Sequence, residues 1–129
     1  VYVDLDDTLL LRHHKVHTKL IRFLYQCVNA KKQIVLVTRS KDDPEVVLKD
    51  LRLFELFDRI LHVTDRSILK SDVILRDLRE SCDSSGQFDS QRGIFIDDSF
   101  KERKDVLKNV GIPVFDMGML DVLIDPLVL

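Results

Sequence analysis

The sequence predicts an α/β domain: a doubly wound, Rossmann-like parallel sheet of five strands with helices on both faces. Two observations carry this. Five short apolar runs, rich in β-branched residues, alternate with segments whose apolar residues recur at helical spacing. Polar residues able to do chemistry stand directly after three of those runs: Asp4 after the first, Thr38 after the second, Asp97 and Asp98 after the fourth. Right-handed crossovers bring all strand C-terminal ends to one edge, and ligands of such sheets bind there.

Residues 1–3 form the first buried strand, which breaks into the turn Asp4-Leu5-Asp6-Asp7-Thr8. A basic, aperiodic stretch at 11–17 follows. Leu20, Ile21, Leu24, Cys27 and Val28 then recur on one helical face. Residues 34–37, too short for a helix and β-branched, form the second strand. Asp43 before Pro44 opens the next helix as cap and first-turn proline, with Val47, Leu48, Leu51 and Phe54 inward. Residues 60–63 give the third strand, and a helix over 70–79 turns in Val73, Ile74 and Leu78. A polar loop at 81–92 precedes the fourth strand, 93–96. The following helix runs to Asn109 and stops at Gly111. The last strand, 112–115, carries Pro113, which donates no ladder hydrogen bond and places that strand at an edge.

A chain of 129 residues makes one domain, 1–129, large enough for a real core. Its first residues are already strand and its last four are apolar, so the expectation is a domain excised from a longer chain. The 33% of charged residues fits an ordinary globular protein, and the net charge of -2 makes no electrostatic case for nucleic acid or an anionic membrane. No apolar run approaches a membrane span and none reads as a signal peptide. Cys27 and Cys82 form no disulfide framework, so a reducing cytoplasm is the expected compartment.

Asp4, Asp6 and Asp7 crowd three carboxylates against a buried strand, where like charge and desolvation both oppose ionisation. A divalent cation would neutralise them; for the turn alone, a helix cap at Asp6 or Asp7 is the competing reading. Lys70, opening the helix after the third strand, joins Asp4, Thr38, Asp97 and Asp98 at the ligand edge. Two acidic turns, a hydroxyl and an ammonium are equipment for moving a phosphoryl group.

The four stretches in this order resemble the motifs of the haloacid dehalogenase (HAD) superfamily, largely phosphatases and other phosphoryl-transfer enzymes. Asp4-Leu5-Asp6-Asp7-Thr8 matches the first motif, Thr38 the second, Lys70 the third and least specific, and Asp97-Asp98 after Ile94-Phe95-Ile96 the fourth. The resemblance implies an HAD-like fold and a Mg²⁺-dependent phosphohydrolase. In it Asp4 is the nucleophile that becomes an aspartyl-phosphate, and Asp6 is the general acid/base. Thr38 and Lys70 would bind the phosphate. Mg²⁺ would be held by Asp4, the Asp6 carbonyl, and Asp98 directly, with Asp97 acting through water; Asp7 and Thr8 would brace the turn. The cap domain that family members often insert has no room here, since one insertion point holds only the basic loop and a helix and the other only residues 64–69. An uncapped site suits a bulky phosphorylated substrate, or one enclosed by a neighbouring domain of the same protein.

Two rival readings compete. A phospho-receiver domain would place its phosphorylated aspartate after the third strand, at Asp65; a non-catalytic HAD-like module would keep the fold as a scaffold. Arg39 reads equally as a substrate contact or a surface ion pair, and His13, His14 and His17 as exposed loop residues rather than a metal cluster.

Overall fold

The computed structural model describes residues 1–81 and 93–127. Most of the loop expected at 81–92, with Cys82, lies outside the described residues, as do the last two of the apolar end. The elements in chain order are β1 (Tyr2–Val3), α1 (Thr18–Asn29), β2 (Val35–Thr38), α2 (Pro44–Asp50), β3 (Arg59–His62), α3 (Lys70–Glu80), β4 (Phe95–Ile96), α4 (Phe100–Asn109), β5 (Val114–Phe115) and α5 (Leu120–Leu123).

The strands form one parallel sheet in the order β3-β2-β1-β4-β5. The chain winds from β1 to one edge, returns, and winds from β4 to the other. The order therefore reverses between β1 and β4, and a crevice opens beyond their C-terminal ends. β5 is an edge strand, as expected from Pro113, which stands just before it.

Side chains alternate across the sheet, as its pleat demands. Val3, Leu36 and Ile96 join Leu20 and Leu24 of α1, Leu48 of α2 and Leu120 of α5 in one core. Tyr2, Val35, Val37 and Phe95 join Ile74 of α3 and Val106 of α4 in the other. The domain is thus doubly wound.

Several boundaries shift by a residue or two. Ile34 precedes β2 because its N–H is taken by the Asp58 carboxylate at 2.7 Å. Phe54 leaves α2 for a separate 3₁₀ turn, Phe54–Leu56. In α1 the buried face is Leu20, Phe23, Leu24 and Cys27, whereas Val28, expected inward, is 44% exposed. It sits at the end of the helix, where the face has rotated away from the sheet.

Far from the strand C-termini, Asp77 of α3 is 6% exposed and accepts from Tyr2 Oη at 2.6 Å and from two Arg59 nitrogens at 2.8 and 2.9 Å. This network ties α3 to β1 and β3. Burial, then the bond to Asp77, pushes the Tyr2 hydroxyl well above the usual tyrosine range.

Candidate active site

Val3 lies opposite Ile96 in the β1–β4 ladder, so the next residues, Asp4 and Asp97, emerge side by side where the strand order reverses. The Asp4 N–H still donates to Ile96 O at 3.0 Å, which holds its Cα in strand register. Both residues are buried, at 6% and 1% exposure. Lys70 enters from the first turn of α3, itself 3% exposed, and donates to Asp4 Oδ1 at 2.9 Å and Asp97 Oδ2 at 2.8 Å. The solvated surface lysine that Lys70 alone would suggest is thereby ruled out.

Thr8 completes the cluster from the other side. Its hydroxyl accepts from the Asp98 N–H at 3.1 Å and is within donating distance of Asp4 Oδ2 at 3.0 Å and Asp98 Oδ1 at 3.2 Å. A hydroxyl has one proton, so it serves one carboxylate at a time. Fully buried, Thr8 braces the two acidic turns against each other.

The electrostatics are unbalanced. Burial, reinforced by the Asp97 charge, pushes the Asp4 carboxyl up to about 7, against the pull of Lys70 and Thr8. Burial also raises Asp97 above the usual carboxylate range despite Lys70. Burial alone would lower Lys70, but its two carboxylate partners overcome it and hold the ammonium above its ordinary value. One buried ammonium serves two buried carboxylates while a third stands beside them: Asp4, Asp97 and Asp98 offer oxygens within 4.8 Å of one another. An all-oxygen, anionic donor set with a deficit of positive charge fits Mg²⁺. Both Asp97 oxygens are already engaged, one by Lys70 and one by the Ser99 N–H at 2.9 Å, while Asp98 is exposed. Both Asp4 oxygens are likewise bonded, to Lys70 and Thr8, so Asp98 is the carboxylate best placed for direct contact with an ion.

Asp6 is exposed on the turn beyond Asp4, and Asp7 beside it has φ 59°, a left-handed conformation that bends the chain back on itself. Thr38 ends β2, one strand over from Asp4, fully buried; its hydroxyl accepts from the Ser40 N–H at 3.0 Å. The cap of α2 is Asp43, which accepts from Glu45 N, so Thr38 does not serve as one. The cap of α4 is Ser99 rather than Asp97 or Asp98. Asp65 is exposed and accepts from the N–H and hydroxyl of Ser67, away from Lys70, so the receiver arrangement is not formed. His17 caps α1 through Nδ1, and His13 and His14 are exposed.

Further contacts brace the site, and two of their residues, Glu102 and Arg103, were not singled out in advance. Arg39 donates to Glu102 at 3.0 Å and to Ile68 O at 2.7 Å, an ion pair that crosses from β2 to α4. Arg103 donates to Asp97 O at 2.8 Å. The signal for Glu102 was legible: Ser99-Phe100-Lys101-Glu102 has the spacing of a capping box. Ser99 does accept from Glu102 N, but the glutamate side chain serves Arg39, and Asp97 takes its place at the Ser99 N–H.

No protein-family model matches the sequence, and no curated protein matches it. Solved structures do. One is the core domain, determined by NMR, of a protein assigned as a phosphoglycolate phosphatase from Streptococcus pneumoniae TIGR4; it is 19% identical, with TM-score 0.63, over 89% of this chain and 76% of that one. Another is a haloacid dehalogenase-like family hydrolase from Streptococcus pneumoniae, 18% identical, with TM-score 0.57, over 87% of this chain and 54% of that one. The chain has the HAD-like fold expected from its motifs.

Proposed function

We propose that the domain is a Mg²⁺-dependent phosphohydrolase that cleaves phosphate esters through an aspartyl-phosphate on Asp4. The observation that carries this reading is the buried Asp4–Lys70–Asp97 cluster at the point where the strand order reverses, with Asp98 beside it. Burying two carboxylates around one ammonium, with a third carboxylate beside them, is costly for a scaffold, and useful if the site exists to receive a cation and a phosphate.

Mg²⁺, held by Asp4, Asp98 and the Asp6 carbonyl with Asp97 behind them, would supply the positive charge that favours ionised Asp4 and screens the phosphate. The protein groups do the rest. An Asp4 oxygen bonds to phosphorus while the ester P–O bond breaks, and Asp6 gives its proton to the departing oxygen. Asp6 then takes a proton from water, whose oxygen displaces Asp4 from phosphorus and releases orthophosphate. Thr38 and Lys70 donate to phosphate oxygens throughout. Asp6 is exposed, which suits exchange of protons with solvent, whereas Asp4 is held by Lys70 and Thr8.

The catalytic edge carries no inserted lid among the described residues: between β1 and β2 stand a short hairpin and α1, and between β3 and α3 only residues 63–69. A neighbouring domain of the same protein, or a bulky phosphorylated substrate, would complete the enclosure. No helix among the described residues is long and apolar enough to cross a membrane; a cytoplasmic setting, rich in phosphorylated metabolites, suits the reading.

The test is turnover of p-nitrophenyl phosphate with Mg²⁺. Asp4→Asn abolishes it, and Asp6→Asn lowers it by about 10²-fold or more while sparing metal binding. An Asp4→Asn enzyme within a few-fold of wild type would overturn the assignment, and an inactive wild type would leave the module a non-catalytic scaffold.

A further inference from the structure

The 34 residues from Thr8 to Lys41 contain eight lysines and arginines and no acid, although the whole chain has net charge -2. This basic tract begins at the catalytic turn. Its first two charges, on Arg12 and Lys15, flank His13 and His14 at one exposed hairpin tip. The hairpin is anchored to the turn that bears Asp6: Leu10 bridges to Asp6 on one side and to Val16 on the other, and the Asp7 N–H donates to Leu10 O at 2.9 Å. Leu11 N–H to Lys15 O at 2.7 Å closes the tip, and His17 N–H to Leu9 O at 2.9 Å closes the base.

His13 and His14 have φ of 61° and 57°, two consecutive non-glycine residues in the left-handed region. Side chains with a Cβ adopt that conformation at a cost, and it persists only where surrounding structure imposes it. Neither Arg12 nor Lys15 has a carboxylate partner among the described residues, whereas Lys19 pairs with Asp121 and Arg39 with Glu102. Three residues at ~3.3 Å each put the tip within about 10 Å of Leu10, which bridges to the turn that bears Asp6.

We propose that this hairpin selects phosphate esters whose leaving group carries a second negative charge, with Arg12 and Lys15 meeting that charge. The proposal rests on the phosphohydrolase reading. It explains why basic groups without a carboxylate partner among the described residues are tied to the turn that bears Asp6, where a bare solvated loop would need neither the positive-φ backbone nor the clustered charge.

The experiment compares kcat/KM, with Mg²⁺, for two substrate pairs that differ mainly in one added anionic group. Fructose 1,6-bisphosphate against fructose 6-phosphate tests a second phosphate; 3-phosphoglycerate against glycerol 3-phosphate tests a carboxylate. The wild type should prefer the more charged member of at least one pair by about fivefold or more at low salt, the scale of two exposed ion pairs, and the preference should shrink as salt screens it. Arg12→Ala/Lys15→Ala should remove most of that preference, through KM more than kcat. Lys31→Ala/Lys32→Ala, at the opposite edge of the sheet, should keep it. No preference in the wild type, or an equal one in the hairpin variant, overturns the inference while leaving the phosphohydrolase intact. Absence of Mg²⁺-dependent turnover of all four compounds and of p-nitrophenyl phosphate removes both.

Discussion

Replacing the proposed nucleophile should stabilise the metal-free protein. In Asp4→Asn the shape is kept and the buried negative charge is lost. Asp4 titrates at about 7 in the metal-free fold against an ordinary value of 3.8, chiefly because it is buried and faces Asp97. At about 1.4 kcal/mol per pH unit, that difference bounds the destabilisation by ionised Asp4 at about 4 kcal/mol. The asparagine carbonyl still accepts from Lys70, which keeps its bond to Asp97, and the amide can donate to Thr8, whose proton turns to Asp98. No polar group is orphaned, but the attraction between Lys70 and a full charge is weakened. The net gain at pH 8 in EDTA should be about 1–2 kcal/mol, a rise in unfolding midpoint of roughly 3–8 °C.

The sign follows from the direction of the shift. Between pH ~4 and ~7 the folded state holds a proton that the unfolded chain has released, so this carboxyl's contribution to stability falls as pH rises through that window. The advantage of Asp4→Asn should therefore be small at pH 4.5 and complete above pH 7. Saturating Mg²⁺ should narrow or reverse the order, because the ion stabilises the wild type by binding its carboxylate. Thermal unfolding followed by circular dichroism, in EDTA and in Mg²⁺ at both pH values, reads all of this. A variant less stable than wild type at pH 8 in EDTA would refute the reasoning, because Asp4 would then be a stabilising charge and not a strained one.

Two further perturbations separate the site from its scaffold. Asp98→Ala should abolish most of the Mg²⁺-induced rise in midpoint, since Asp98 is the exposed member of the acidic cluster; calorimetric titration that finds unchanged Mg²⁺ affinity would place the ion elsewhere. Asp77→Ala should cost about 2–4 kcal/mol in urea unfolding, below the full penalty of a buried pair because Arg59 is 36% exposed. The protein that remains folded should keep its turnover, as Asp77 lies at the far end of α3; a loss under 0.5 kcal/mol would show that the network does not anchor that helix.

The order of elements, the doubly wound class and the identity of the acidic cluster were legible from residue order alone. Apolar runs followed at once by Asp4, Thr38 and Asp97 are local signals, and the handedness of crossovers converts local signals at strand ends into one shared edge. The Asp43–Pro44 helix start and the edge position dictated by Pro113 were legible for the same reason: each depends on the chemistry of one or two neighbouring residues.

What only the tertiary structure decided are the partnerships. Residue order already brings Lys70 to the ligand edge, but its shared bond to Asp4 and Asp97 exists because α3 drops its ammonium between them. Glu102 carries a capping-box spacing yet pairs with Arg39, because the loop after β2 passes within reach. Asp77 looks like an ordinary polar helix residue until Tyr2 and Arg59, distant in sequence, converge on it. Local chemistry is written in neighbouring residues, whereas a buried charge finds its partner across dozens of them, and which partner it finds depends on distances that only the packed sheet and helices set.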